Sequence, residues 1–142
     1  MRETTRAAAI QTIQRELTAF ARRARGKAAE LHPELSLVAF SVLDLIIERD
    51  GCQAADVADH FLLDKSTVSR QVGALERLGY LTREVDPGNR RNYHLRPTPE
   101  GRRIAGEAER LRRDAFTERF LEWGDDDLRR LAGYLARYNA TS

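Results

Sequence analysis

The sequence predicts a mainly α-helical chain with one small β-hairpin, and two patterns predict it. Apolar residues recur at spacings of three and four along almost all of the 142 residues, the period of a helix with one buried face. That period breaks once, between Tyr80 and Pro97, where alternation by two flanks the turn sequence "DPGNRR". Hydrophobic residues make up 42% and charged residues 32%, so the chain can bury a core and is not of the disordered class.

The elements follow in order. Ile10, Ile13, Leu17, Phe20, Ala21 and Ala24 form the apolar face of a long first helix, expected to end near Gly26. After "HPE", Ser36 is placed to cap a second helix that runs to Ile47 and stops at Asp50-Gly51. Ala54, Val57, Ala58 and Phe61 mark a short third helix. Asp64 can cap the fourth, its carboxylate near the backbone donors of Ser66 and Thr67 and at the positive end of the helix dipole. Val68, Val72, Leu75 and Leu78 give that helix its buried stripe, and Gly79 ends it.

"YLTREV" and "NYHLRP" then form the hairpin. Pro97 lacks a backbone donor, so the second strand is expected to end early. Thr98-Pro99-Glu100 opens a long helix, Thr98 as cap and Pro99 at the first position. Ile104, Ala108, Leu111, Ala115, Phe116 and Phe120 carry it to about Trp123, where Gly124 breaks it. Asp125 is expected to cap a last helix with Leu128, Leu131, Leu135 and Tyr138 on its face. Asp126 and Asp127 suit its positive end.

The formal net charge is only +2 but is segregated: +4 over residues 1–30, −5 over 31–59, +4 over 60–103 and −1 over 104–142. Part of the basic excess thus falls on the fourth helix and the hairpin. A single cysteine, Cys52, excludes an internal disulfide and a multi-cysteine metal cluster. The N-terminus has no signal-peptide run, and the most apolar stretch, "LSLVAFSVLDLII", is short and contains Asp44. The expectation is a soluble, cytoplasmic chain with no membrane partner.

Residues 53–78 are two short helices joined by "LLDK", the connection length of a helix-turn-helix. In that motif the second helix enters the DNA major groove, N-terminal residues leading. The opening of the fourth helix, "DKSTVSRQV", fits the role. Its small hydroxyls allow close approach and can donate to phosphates or base edges, and its arginine and glutamine can reach guanine and adenine. Lys65, Ser66, Thr67, Ser69, Arg70 and Gln71 are therefore candidate DNA contacts. Arg90 and Arg91, beside Pro87, Gly88 and Asn89, put a basic pair at the hairpin tip, where it can enter a minor groove. The whole is expected to be mainly α with a small β-hairpin wing: a winged helix-turn-helix core flanked by long N- and C-terminal helices.

The stretch "DVADHFLLDKSTVSRQVGALERLGYLTREVDPGNRRNYHLRPTPEGR" resembles the core of MarR-type transcriptional regulators, its specific elements being "KSTVSR", "LERLGYLTRE", "NRR" and "TPEGR". The flanking long helices match the family's layout. The resemblance implies a homodimer built by residues 1–30 and 104–142, around a DNA-binding region at 31–103, in one compact domain. It implies double-stranded DNA with a palindromic operator as partner, and repression as the usual outcome. It places Arg91 in the minor groove. It also implies a small aromatic or phenolic effector between the dimer helices and the reading head, where Phe20, Leu31, His32 and Phe40 are the candidate lining. Three departures from the family pattern stand out, one being Pro97, which replaces the usual apolar strand residue before Thr98. Asn89 replaces the usual Asp that steadies the wing arginine, and Leu62 fills a turn position often held by Gly, so a looser turn is expected.

No Ser-His-Asp set, Gly-rich phosphate loop or paired carboxylates at a plausible site are present, so no enzyme is expected and no cofactor is implied. His32, His60 and His94 lack metal-ligand spacing with one another or with Cys52, and no metal site is assigned. Cys52 reads as a small apolar residue. Two other readings of the same fold are a constitutive or architectural DNA-binding protein without a ligand and a winged-helix protein-interaction module. Salt-sensitive duplex binding separates the second of these.

Overall fold

A computed structural model describes the backbone of residues 2–141, without the side chains of residues 2, 3, 86 and 89–92. Its elements are α1 (Arg2–Leu31), α2 (Leu37–Glu48), β1 (Cys52–Gln53), α3 (Ala54–Phe61), α4 (Lys65–Arg77), β2 (Leu81–Asp86), β3 (Asn89–Pro97), α5 (Pro99–Arg119) and α6 (Asp125–Ala140). The chain falls into two compact units, Met1–Ala105 and Gly106–Ser142. No helix among the described residues is long and apolar enough to cross a membrane.

In the first unit α2 is the hub. Six of its twelve residues are buried, Val42, Leu43 and Ile46 completely, because its sequence is apolar almost all round rather than on one face. The Ser36 side chain accepts from Ala39 N at 3.1 Å, as its capping position requires. Val57 of α3, Val72 and Leu75 of α4, and Leu81 and Leu95 of the sheet complete the interior. α1 runs through Gly26 to Leu31, because an isolated glycine weakens a helix without necessarily ending it. Its Ile10, Ile13 and Phe20 remain 52, 54 and 42% exposed, so that apolar face is only partly buried.

The sheet has three strands, in the order β1-β3-β2, all antiparallel. The alternation by two in the sequence predicts only the hairpin. β1 adds two rungs, Cys52↔Leu95 and Gln53↔His94. Pro97 stays in β3, opposite Leu81, where early termination is expected. The Leu95 carbonyl faces β1, at 3.2 Å from where a Cβ on Gly51 would lie. Backbone polar groups alternate sides along a strand, so Pro97 turns its nitrogen the same way, beyond the end of β1, and no rung to β2 is lost.

A three-part joint ties the sheet, the end of α4 and the start of α5 together. Thr98 N donates to Tyr80 O at 3.1 Å, and Thr98 Oγ1 donates to Gly79 O at 2.6 Å. The same hydroxyl accepts from Gly101 N at 3.0 Å, the expected cap.

In the second unit, Phe116 and Phe120 stack with centroids 6.3 Å apart, and Trp123 meets Phe120 edge-on at 5.2 Å. α5 ends at Arg119, four residues before Trp123. Gly124, not Asp125, is the N-cap residue of α6, which shifts the three aspartates into its first turn. Tyr134 and Tyr138 of α6 are 59 and 63% exposed.

Candidate nucleic-acid interface

α3 and α4 meet through a tight turn. Leu62 takes the left-handed conformation, φ 54° and ψ 45°, and its N–H closes α3 onto Ala58 O. The turn is therefore not looser than the glycine version. It carries a strained leucine that is 91% exposed and gains no packing in return. Leu63 N also bonds Ala58 O, at 3.0 Å, and Asp64 then starts α4.

Asp64 accepts from Thr67 N at 2.7 Å and from the Ser66 hydroxyl at 2.8 Å. The Thr67 backbone donor, then the Ser66 and Thr67 hydroxyls, hold its carboxyl down at about 2. The expected cap is present, although Ser66 donates through its side chain. The Thr67 hydroxyl accepts from Arg70 Nη2 at 3.2 Å, which lays the Arg70 guanidinium back along the first turn. The opening of α4 is thus ordered by its own polar side chains before any ligand arrives.

Helical phase sorts the candidates. Val68, Val72 and Leu75 are buried. At about 100° per residue, Ser66, Arg70, Gly73 and Arg77 fall within an arc of about 60° opposite them. Lys65, Ser66, Ser69 and Arg70 are exposed, and Thr67 is half-buried. Gln71 is half-buried, on the flank nearest the buried stripe, and accepts from the Ser36 hydroxyl at 3.3 Å. To reach a base it must leave the N-terminus of α2. Gly73 and Arg77 belong to the outward arc, and the sequence reading misses both. The available signal is a mid-helix glycine seven residues after Ser66.

The hairpin packs on α4 through Arg83. Its guanidinium lies 4.4 Å from the centroid of the Tyr93 ring, and Nη2 is 3.5 Å from Glu76 of α4. The turn proper is Pro87-Gly88. Arg90 and Arg91 have strand backbone within β3 rather than loop backbone, and their side chains lie outside the described residues. The register passes from Val85↔Tyr93 directly to Asp86↔Asn89, so the basic pair occupies an irregular segment that has no counterpart on β2.

The four candidate effector residues occupy different environments. His32 and Phe40 are buried and meet edge to face at 5.0 Å. His32 Nε2 is buried without a hydrogen-bond partner, while Nδ1 lies 3.8 Å from Glu34. Leu31 is half-buried, and Phe20 is exposed with the Arg23 guanidinium 5.8 Å from its ring. A separate cavity of about 280 Å³ lies in the first unit, lined by Ala54, Ala58, Asp59, Lys65 and Tyr93 among others. Cys52 is buried in β1, and burial pushes its thiol pKa up, away from thiolate reactivity. Among the described residues no group of histidine, cysteine and carboxylate side chains is placed to hold a metal ion.

Comparison with known proteins agrees with this geometry. Residues 34–92 match the model of the MarR family. An uncharacterized HTH-type transcriptional regulator of Bacillus subtilis, YxaD, is 26% identical over 132 residues, covering 92% of each chain. The crystal structure of a MarR-family transcriptional regulator from Rhodococcus sp. RHA1 is 29% identical with a TM-score of 0.74, covering 88% of this chain and 90% of that one. The fold also matches Bordetella bronchiseptica BpsR, whose DNA binding is regulated by 6-hydroxynicotinic acid, with a TM-score of 0.74 at 20% identity, covering 92% of this chain and 94% of that one. The winged helix-turn-helix, with an outward polar and basic arc on α4, is thus similar to the MarR-family model over residues 34–92 and to HTH-type and MarR-family transcriptional regulators over most of its length.

Proposed function

We propose that this chain acts as a homodimer on a palindromic operator in double-stranded DNA, as a repressor released by a small aromatic or phenolic effector. The observation that carries the reading is the polar opening of α4, with Ser66 and Arg70 on its outward arc, Lys65 and Ser69 exposed beside it and Thr67 half-buried. Lys65, Ser66, Thr67, Ser69 and Arg70 lead into the major groove, on a first turn already ordered by Asp64. Gln71 stands at the edge of that set. Arg90 and Arg91 at the outer end of the hairpin take the minor groove. The dimer surface is assigned to residues 1–30 and 104–142; the exposed Ile10 and Ile13 of α1, and the exposed Tyr134, Leu135 and Tyr138 of α6, support that reading, since apolar side chains left open in one copy gain by burial against a second.

The effector site is proposed at Phe20, Leu31, His32 and Phe40, and the unpartnered His32 Nε2 supports it. A polar ligand atom would satisfy that nitrogen, and an aromatic ring would extend the His32–Phe40 pair. The effect is a population shift, set by the ligand's preference for a reading-helix spacing that misses successive grooves. The small-molecule regulation of BpsR lends support by likeness of fold.

The test is selection of duplexes from a random pool, followed by titration of 6-hydroxynicotinic acid and salicylate into the complex. Arg70→Ala is expected to relax the preference at one position per half-site, by roughly 1–3 kcal/mol. An unchanged consensus and affinity would refute its base-reading role. Ligand release at equal potency from wild type, His32→Ala and Phe40→Ala would refute the pocket. Tight binding unaffected by any such acid favours a constitutive binder, and failure to select any duplex favours a protein-interaction module.

A further inference from the structure

Gly73 sits in the middle of α4, where glycine weakens a helix and nothing in the fold asks for it. Its φ is not positive, unlike that of Gly51 and Gly79. A Cβ built on it meets only the guanidinium end of Arg77, at 3.3 Å, and a long exposed side chain yields by that amount cheaply. Neither backbone conformation nor internal packing therefore requires a bare Cα. Gly26, Gly106 and Gly133 also have open space around them. Gly73 differs in its place: it lies on the outward arc of the reading helix, between Arg70 and Arg77.

Its depth along α4 defines what it meets. The N-terminal residues of a reading helix lead into the groove. Gly73 and Arg77 follow Arg70 by about 4.5 and 10 Å at 1.5 Å per residue. That brings them to the rim of the groove, where a strand's sugars and phosphates run. A bare Cα lets the rim seat directly on the helix backbone, and the arginine folded over it can swing onto a phosphate.

We propose that Gly73 is the close-approach point of α4 for the sugar–phosphate rim of duplex DNA, and that Arg77 is the phosphate contact beside it. The inference rests on α4 being the reading helix and adds a seat that the base-reading residues do not provide. Phosphate contacts fix register without reading sequence. The pair should therefore govern affinity evenly across sequences, while Arg70 governs preference.

The experiment compares wild type, Gly73→Ala and Arg77→Ala in thermal unfolding, and in anisotropy titrations with the selected duplex and with scrambled duplexes over a salt series. Gly73→Ala is expected to melt higher, by about 2–5 °C, yet to bind every duplex about ten-fold more weakly with its base preference intact. Arg77→Ala is expected to lower the salt slope by about one unit. Affinity in Gly73→Ala equal to or tighter than wild type overturns the proposal, as does a lower melting temperature, which would show that the fold itself needs the glycine. A changed base preference in Gly73→Ala also overturns it, by placing the contact on the bases. If wild type selects no duplex while Arg77→Ala behaves like it, the DNA-reading assignment of α4 fails and takes this inference with it.

Discussion

Replacing Gly101 by alanine should destabilise the protein, although alanine is the better helix former by about 1 kcal/mol. The added Cβ would lie 2.0 Å from Tyr80 O, 2.9 Å from its carbonyl carbon and 3.1 Å from its Cα. All three are backbone atoms, so no side chain can swing aside. Relief requires α5 to lift from the end of α4. That movement strains the Thr98 N to Tyr80 O bond and the Thr98 Oγ1 to Gly79 O bond. Two hydrogen bonds are worth about 2 kcal/mol together, and the overpacking adds about 2 kcal/mol. After subtracting the helix gain, the net loss is about 3 kcal/mol, or a drop in Tm on the order of 10 °C for a chain of this size. Urea unfolding followed by circular dichroism at fixed protein concentration measures it. Gly106→Ala, in the same helix with nothing within 4 Å of its Cβ position, is the control and should gain about 1 kcal/mol. A Gly101→Ala protein as stable as Gly106→Ala would refute the close-approach argument.

Leu62→Gly should raise stability by about 0.5–1 kcal/mol, because it removes the left-handed strain and forfeits a side chain that is 91% exposed; a lower urea midpoint would contradict this. Asp64 should titrate far below an ordinary aspartate. Its folded pKa is depressed to about 2, so the capping contribution is present above the unfolded value, near 4, and is lost as pH falls through about 2. A carboxyl NMR titration that returned an ordinary aspartate value would remove the cap from the account.

Local chemistry was legible and distant geometry was not. Ser36, Asp64 and Thr98-Pro99 each announce a helix start by a side-chain oxygen or a ring that acts within a few residues, and all three start where expected. β1 escapes the reading because two residues carry no period. Its strand character comes from β3, some forty positions away. Gln71 looked free to read adenine on its own helix, and its tie to Ser36 spans 35 residues. α1 overran Gly26 because a propensity penalty of about 1 kcal/mol is small against a helix of 30 residues. The turn at Leu62 shows the opposite limit: the backbone geometry of the motif overrode the preference of the residue in it.

The two rungs of β1 have a topological consequence. By pairing Cys52 with Leu95 they close the chain on itself, and α3, α4 and β2 all lie inside the loop. The entropy of closing a loop this long grows only logarithmically with its length and comes to roughly 3 kcal/mol beyond a constant. It is met once for the whole ring. Within the ring, α4 and the base of the hairpin share one closed circuit of backbone, so their motions are coupled. A signal arriving from elsewhere in the chain must therefore re-aim them together or open the ring at Cys52. The lone thiol sits at the clasp, so its rate of reaction with a small disulfide reagent becomes a clock for that opening.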